Sequence, residues 1–426
     1  MKSVKLSEIA DFQEGYVNPK QTNNSYFDGP IKWLRAVDLN NSNVYSTTRT
    51  LSEKGFESAG SSACLFPPNS LAISKSGTIG RVGILKDWMC GNRAVINIKP
   101  NEKIVNTKYL FYCLLHGRPH IERLAEGSVQ KNLYISELSK FEVPLPKMDI
   151  QEKIAQILGT LDEKIELNKK TSETLEEISE AVFKSWFVNF EPVRAKAKNH
   201  STGLPDEISD LFPVSFEDSE LGRIPKGWSY SPFHKFMTQK KERVGQRKAT
   251  VLSAVNSGEL VTSEEYFTKK VHSKNIAKYI AIEKYDIAYN PSRINIGSIG
   301  LHYEDYLGAV SPIYIVITPY IGWHWFSIMS IKRDYFNQNV QVLSSGSVRQ
   351  TLSIEDFLSI SVVTPPISSP LISYFNNFYD LLLKRQILLR EENLYLQDIT
   401  YAILPRLMSG TLRVSDAEKI LDEAGI

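Results

Sequence analysis

The sequence predicts an α/β (α+β) chain built by duplication, in which two globular repeats are separated by long helices that pair as an antiparallel coiled coil. Three observations predict it. Gly127-Ser128-Val129-Gln130-Lys131-Asn132-Leu133 recurs in the second half of the chain as Gly346-Ser347-Val348-Arg349-Gln350-Thr351-Leu352. Upstream, Ala72-Ile73 followed by Ile79-Gly80-Arg81-Val82-Gly83-Ile84 matches Ala288-Tyr289 followed by Ile296-Gly297-Ser298-Ile299-Gly300-Leu301, at nearly the same displacement. Both copies then pass through a short strand into prolines, Phe141-Glu142-Val143-Pro144-Leu145-Pro146 and Ile360-Ser361-Val362-Val363-Thr364-Pro365-Pro366, and each leads into a long helical pattern. Three matches in the same order fix the architecture before any single motif does.

The bulk properties fit that reading. At 426 residues the chain is long enough for two to four domains of about 100 to 200 residues. Hydrophobic residues at 42% and charged residues at 23% are ordinary globular usage, which excludes a disordered chain and a membrane bundle. Three cysteines far apart, Cys64, Cys90 and Cys113, argue against a disulfide framework and for the cytoplasm. Glu8 and Asp11 interrupt any apolar run a secretion signal would need. The uncharged stretch from Tyr306 to Ile331 contains Pro312, Pro319, Gly322 and His324, so a strand, a turn and a helix are expected there rather than a membrane span.

The helical segments repeat every seven residues. In the first, Ile154, Leu161, Leu175 and Val182 are seven or fourteen apart, Leu158, Ile165 and Trp186 follow the alternate positions, and polar Asn168 interrupts the seam. In the second, Phe375, Leu382, Leu389, Leu396 and Ile403 are each seven apart. Gln386 stands in the second helix at the heptad position that Asn168 holds in the first. Either the two amides approach one another across the seam and fix its register, or both face water at a loosened stretch.

Between the first helix and the second repeat, the proline-containing stretch from Asn189 to Pro225 reads as a connector. Net charge is only +2, but it is unevenly placed. Residues 1–146 hold 18 basic and 13 acidic side chains and residues 226–366 hold 16 and 11, so each repeat is +5 while the segments joining them are neutral or acidic.

Catalytic patterns are missing. There is no GxxxxGK[ST] to cradle phosphates, and the run from Gly77 to Gly83 has the wrong spacing for a dinucleotide fingerprint; its recurrence at Gly297 and Gly300 suits a tight strand-to-strand turn. Asn290-Pro291-Ser292-Arg293 and Thr364-Pro365-Pro366-Ile367 fall short of the Asn/Asp-Pro-Pro-aromatic pattern of amino-methylating enzymes. Cys113, His116 and His120 have a metal-like helical spacing, but Gly117 and Pro119 would end the helix between them, and no metal site is expected.

What remains is polyanion recognition by the basic repeats. The segment Lys240-Lys241-Glu242-Arg243-Val244-Gly245-Gln246-Arg247-Lys248 combines cations with an amide, which suits phosphate contact and base-edge reading. Lys75, Thr78 and Arg81 flank the first glycine turn, and Ser292, Arg293 and Asn295 flank the second. Gln130, Lys131 and Asn132, with Arg349 and Gln350, supply similar donors in the recurring loop, whose Gly-Ser-Val start could equally be a structural hairpin. A rival reading is a coiled-coil scaffold whose basic domains bind acidic protein partners.

Longer motifs carry a family resemblance. Phe183-Lys184-Ser185-Trp186-Phe187-Val188-Asn189-Phe190-Glu191-Pro192-Val193, Gly203-Leu204-Pro205 through Leu211-Phe212-Pro213, Asp218-Ser219-Glu220-Leu221-Gly222-Arg223-Ile224-Pro225-Lys226-Gly227-Trp228 and Leu404-Pro405-Arg406-Leu407-Met408-Ser409-Gly410 make the chain resemble the specificity subunit of a type I restriction-modification system. The resemblance implies two mixed α/β target recognition domains, residues 1–146 and 226–366, with conserved helical regions at 147–190 and 367–408, a connector at 191–225 and a tail at 409–426. It further implies a non-catalytic chain that binds a split, asymmetric sequence in double-stranded DNA and holds methyltransferase and restriction/translocase subunits. S-adenosylmethionine, ATP and Mg would then be used by those partners, with no cofactor in this chain. In that setting the helices act as a ruler: Ile154 to Trp186 spans 32 steps, roughly 48 Å at 1.5 Å per residue against about 34 Å for one DNA turn.

Overall fold

The computed structural model describes residues 2–127, 131–219, 222–255, 260–262, 275–344 and 351–426. The chain divides into two compact units, Met1–Lys170 with Leu389–Ile426, and Thr171–Leu388. Two long helices, Met148–Phe187 of 40 residues and Leu371–Ser409 of 39, each contribute one part to either unit.

In the first unit a five-stranded sheet runs in the spatial order Ala10–Glu14, Val95–Pro100, Leu71–Ser74, Val82–Leu85, Ser42–Val44. Leu71–Ser74 and Val82–Leu85 are buried at every position, which explains why they read as continuous apolar runs rather than alternating ones. A smaller sheet joins Thr50–Leu51, Phe27–Leu34 and Met89–Gly91, the last two in parallel. The helix Thr107–His116 buries Tyr109 through Leu114 against the sheet, starts at the Asn106 side-chain cap and stops at Gly117. Pro119 lies in the first turn of the next helix, Arg118–Arg123, so Cys113 and His120 stand on different helices. Cys113 is in the core, its thiol 3.6 Å from the Met408 sulfur.

Ser3–Lys5 pairs with Glu142–Pro144 and ties the two ends of the first domain together just before the first long helix begins. Ile154, Leu158, Leu161 and Ile165 of that helix join Leu396, Ile403 and Leu407 of the second in the same core. The C-terminal helix Val414–Glu423 closes it with Ala417 and Leu421.

The second unit repeats this plan. Its four-stranded sheet has the order Met237–Lys240, Ile315–Pro319, Ile287–Tyr289, Ile299–Leu301, matching strand for strand the first four of the other sheet. Ala288 pairs with Gly300 as Ala72 pairs with Gly83. The glycine at 83 is required by space, since a Cβ there would lie 2.6 Å from Val44 Cγ2. Thr250–Ala254 lies parallel to Gly308–Val310, as Phe27–Leu34 does to Met89–Gly91. Ser229–Pro232 pairs with Ser361–Thr364 before the second long helix. The uncharged stretch folds as the strand Ile315–Pro319, a turn at Gly322 (φ +82°) and the helix His324–Ile331. Among the described residues no helix is long and apolar enough to cross a membrane.

The connector is itself folded. It forms the helices Glu191–Ala197 and Asp206–Ser209 and a hairpin of Phe216–Ser219 with Gly222–Pro225, and it buries Val193 and Phe212. Phe212 and Trp228 join Phe183, Trp186, Phe187, Phe326 and Phe375 in one aromatic core. The Phe187 ring meets those of Phe183, Trp186, Trp228, Phe326 and Phe375 at centroid distances from 5.1 to 6.1 Å.

All thirteen seam residues face inward or are half-buried: Ile154, Leu158, Leu161, Ile165, Asn168, Leu175, Val182, Phe375, Leu382, Gln386, Leu389, Leu396 and Ile403. The first alternative, an approach of Asn168 to Gln386 across the seam, is corrected. Asn168 Nδ2 donates to Glu392 Oε2 at 2.8 Å and to Asn393 Oδ1 at 3.0 Å, and Gln386 Nε2 donates to the Ser172 carbonyl at 3.0 Å. Each amide crosses to a different turn of the opposing helix, because an antiparallel pairing sets Asn168 opposite residues near 392 rather than near 386.

Phe187 is 3% exposed. Phe187→Ala should cost about 3–5 kcal/mol by leaving a cavity among five rings. Urea unfolding followed by tryptophan fluorescence measures this, and a loss below about 1 kcal/mol would show that the cluster collapses around the gap.

Candidate nucleic-acid interface

Strand register places the candidate loops of each unit at one end of its main sheet. In the first unit Glu14 pairs with Ile96 and Ser74 with Val95, so the chain after Gly15, the turn from Lys75 to Arg81 and the loop before Val95 emerge together. Backbone bonds fasten them: Lys75 N–H donates to the Ala94 carbonyl at 2.8 Å, and Leu133 N–H to the Lys75 carbonyl at 2.9 Å. Leu133, which closes the recurring loop, is thereby brought onto the glycine turn. In the second unit Lys240 pairs with Val316 and Tyr289 with Ile315, so the segment after Lys240 and the turn from Asn290 to Ser298 leave from the same end. Leu352 N–H donates to the Pro291 carbonyl at 3.1 Å, the counterpart of the Leu133 bond, since Leu352 closes the second copy of the recurring loop as Leu133 closes the first.

The first turn is built by Gly77 (φ +75°) and Gly80 (φ +79°), conformations that side chains with a Cβ rarely adopt. Ser74 Oγ accepts from Arg81 N–H at 3.0 Å and donates to the Thr78 carbonyl, closing the loop from inside. Thr78 and Lys131 are exposed, and Arg81 and Asn132 are half-buried. Lys75 Nζ is engaged by Glu14 Oε1 at 2.9 Å and lies 5.9 Å from the Tyr134 ring centroid, so its charge is balanced within the unit. In the second turn Ser292 and Arg293 are exposed, and the Asn295 carbonyl accepts from Gln341 Nε2 at 3.2 Å. Gln130, Arg349 and Gln350 lie outside the described residues.

The basic segment divides by role. Lys240 Nζ is held by Glu283 Oε2 at 2.7 Å and by Asp286 Oδ2 at 2.9 Å, which makes it an internal brace. The Arg247 guanidinium donates to the Arg243 and Val244 carbonyls at 2.8 and 3.2 Å and meets Glu242 Oε1 at 2.7 Å, folding the segment back on itself. Gly245 (φ +62°) makes the turn. Lys241, Arg243, Gln246 and Lys248 are exposed on the outside of this loop.

The structure adds residues that motif reading did not reach. Registers equate Gln13 with Lys240, because Gln13 pairs with Asn97, Asn97 with Ala72, Lys240 with Val316 and Val316 with Ala288. The first unit's counterpart of the basic segment is therefore the chain from Glu14 onward, where Tyr16 and Lys20 are exposed. Arg93, exposed in the loop whose Ala94 carbonyl binds Lys75, belongs to the same end. Only the apolar alternation of the first strand could have signalled this match, and it carries no shared motif.

Two α/β domains of one topology each gather cationic and amide side chains at one end of the sheet and rest on paired helices. Residues 1–177 match the family model described as the type I restriction modification DNA specificity domain. The chain is 26% identical to the type I restriction enzyme MjaIX specificity subunit of Methanocaldococcus jannaschii over 97% of its own length and 93% of that protein's. Over 27% of its length it is 38% identical to the HindI specificity subunit of Haemophilus influenzae, covering 26% of that protein. Its fold is similar to the crystal structure of the type I restriction-modification S subunit from M. genitalium, with a TM-score of 0.55, 16% identity and 95% of both chains covered. The family-model match lies within the first 177 residues, and the similarity to a type I specificity subunit extends over nearly the whole chain.

The brace around Lys240 sets a pH dependence. The Lys240 hydrogen bond and charge hold the Glu283 carboxyl below the usual glutamate range, so this contribution is present above that range and lost as pH falls through the folded-state value. Burial acts to lower the Lys240 ammonium, but hydrogen bonds to Glu283 and Asp286 outweigh it and raise the group above its ordinary value. Its contribution therefore persists until pH rises through that raised value. Lys240→Met should lower the melting temperature strongly at pH 7 and much less near about pH 4, where the orphaned Glu283 carboxylate protonates. Equal losses at both pH values would contradict the brace.

Proposed function

We propose that this chain is the sequence-specific DNA-binding subunit of a type I restriction-modification complex, reading a bipartite, asymmetric target with one half-site per domain. One observation carries the reading: the glycine turn at the same sheet end receives the same backbone bond twice in one chain, from Leu133 in one unit and from Leu352 in the other. Each domain has a net charge of +5 over residues 1–146 and 226–366, which suits phosphate contact. Exposed Arg, Lys and Gln side chains, with the half-buried Asn132 and Asn295, supply donors of the kind that read guanine and adenine edges in the major groove.

On this reading the chain is non-catalytic and works in the cytoplasm. It positions adenine-N6 methyltransferase subunits and translocase/nuclease subunits on the DNA it selects. S-adenosylmethionine, ATP and Mg serve those partners, and this chain uses no cofactor. Support for docked partners comes from the second long helix, where within one unit Leu381 and Leu388 stand seven residues apart with exposures of 66% and 56%, apolar side chains additional to the inward seam.

Three outcomes are expected, two in binding and one in the methylated motif. With about 6 to 10 phosphate contacts, DNA affinity should fall by roughly three to five decades between 50 and 200 mM salt. Lys241→Glu with Arg243→Glu should weaken binding to every sequence, since both side chains are exposed and neither closes the loop. Fluorescence titrations of the assembled complex measure both, and salt-independent binding sinks the electrostatic account. Third, exchanging residues 226–366 for the corresponding domain of a relative should change one half of the methylated motif and leave the other. A change in both halves would contradict independent reading, and the absence of any sequence-selective footprint would favour a scaffold for acidic proteins.

A further inference from the structure

Each long helix grips the helix that follows the Val95–Pro100 or Ile315–Pro319 strand of its own globular domain through a matched set of buried and half-buried polar groups. On the first, Asp162 Oδ2 accepts from Tyr112 Oη at 2.7 Å. On the second, Asp380 Oδ1 accepts from Trp325 Nε1 at 2.6 Å and from Tyr285 Oη at 3.2 Å. Asp162 and Asp380 are related by the same displacement that relates Asn168 to Gln386, so the two carboxylates occupy equivalent helix positions. Tyr112 and Trp325 are each 2% exposed. Their donors reach the carboxylates from the helices Thr107–His116 and His324–Ile331, which hold the same place in the two domains.

A second grip lies nearer the start of each long helix. Gln151 is 1% exposed; its Oε1 accepts from Asn106 N–H at 2.9 Å and its Nε2 donates to the Ile104 and Pro146 carbonyls at 3.2 and 2.9 Å. Asn376 is 3% exposed; its Oδ1 accepts from Trp325 N–H at 3.0 Å and its Nδ2 donates to the Gly322 carbonyl. Trp323 has no side-chain oxygen to cap the helix it precedes, and Asn376 supplies that cap from the long helix. Both amides hold the chain where it passes from the sheet into the domain helix, at the sheet end opposite the candidate loops.

Apolar burial attaches each domain to its helix but is non-directional, so by itself it specifies no single rotation. Hydrogen bonds are directional and weaken steeply off axis. The strand Val95–Pro100 connects the gripped end to the loop end; its six residues make a lever of about 20 Å at about 3.3 Å each, so a rotation of about 10° moves the loops by about one base-pair step.

We propose that Asp162 with Gln151, and Asp380 with Asn376, are positioning residues that fix the rotation of each domain on its own stretch of long helix and thereby set the spacer length a bipartite target must have. This inference rests on the reading under Proposed function. It assigns spacer choice to the joints between domain and helix as well as to helix length.

The test uses the complex with its methyltransferase subunits and duplexes whose half-sites are kept while the spacer is native, one base pair longer or one shorter. Tyr112→Phe and Trp325→Phe each remove one donor and keep an aromatic ring. In either variant, methylation of the altered-spacer duplexes relative to the native one should rise about threefold, the scale of one net hydrogen bond, with both half-site sequences unchanged. Asp380→Asn, which keeps an acceptor for Trp325, should retain the wild-type spacer ratio. Should Trp325→Phe fail to fold, Tyr112→Phe still decides for the first domain. Unchanged ratios in folded variants, or altered half-site preference in place of altered spacing, overturn the inference. A wild-type complex whose target is continuous overturns the bipartite reading and this inference with it, whereas a split target with unchanged variants overturns the inference alone.

Discussion

Neither globular half closes its core without both long helices. Ile154, Leu158 and Leu161 of one helix and Leu396, Ile403 and Leu407 of the other line the first core. Phe183, Trp186 and Phe187 with Leu371, Ile372 and Phe375 line the second. Burying a large apolar side chain contributes about 1.5–3 kcal/mol, so these residues attach each domain to the paired helices as firmly as a domain interior holds together. The heptad seam therefore serves two purposes: it pairs the helices, and its ends become core residues of the domains they carry.

Duplication explains the division between what is fixed and what is free to vary. The shared features are backbone features: the strand order, the Ala72–Gly83 and Ala288–Gly300 pairs, and the Leu133 and Leu352 bonds onto the glycine turns. The side chains projecting from those loops differ between the halves, with Thr78 and Lys131 in one and Ser292, Arg293 and Lys241 in the other. A common scaffold with different donors is what two unlike half-sites need, since phosphate contacts position a protein and base contacts specify its site.

Much of this was legible in the sequence, for physical reasons that can be named. The seam was legible because a seven-residue period is a property of the helix itself. The hairpins were legible because steric limits at Gly83 and the positive φ at Gly77 and Gly80 allow little else. Long-range pairing was not. Lys240 reads as a phosphate contact until Glu283 and Asp286, 43 and 46 residues on, are seen to enclose it. Arg247 reads likewise until its guanidinium is found closing its own loop. Asn168 and Gln386 share a heptad position, but antiparallel geometry sends them to Glu392, Asn393 and Ser172 rather than to each other. Asp162, Asp380, Gln151 and Asn376 give no sequence signal, because a polar residue on a helix shows its partner only when the fold brings one. The folded connector carries proline signals that suit a linker, yet Val193 and Phe212 bury into the second core.

The central claim is that one chain reads two separate half-sites and directs adenine methylation by partner subunits. The most direct measurement is methylome sequencing of DNA from cells carrying this chain with its methyltransferase subunits, beside cells from which this chain alone is removed. The account predicts one asymmetric motif of two specified parts around a fixed unspecified spacer, bearing N6-methyladenine only when the chain is present. A continuous motif, or methylation that persists without the chain, would contradict it.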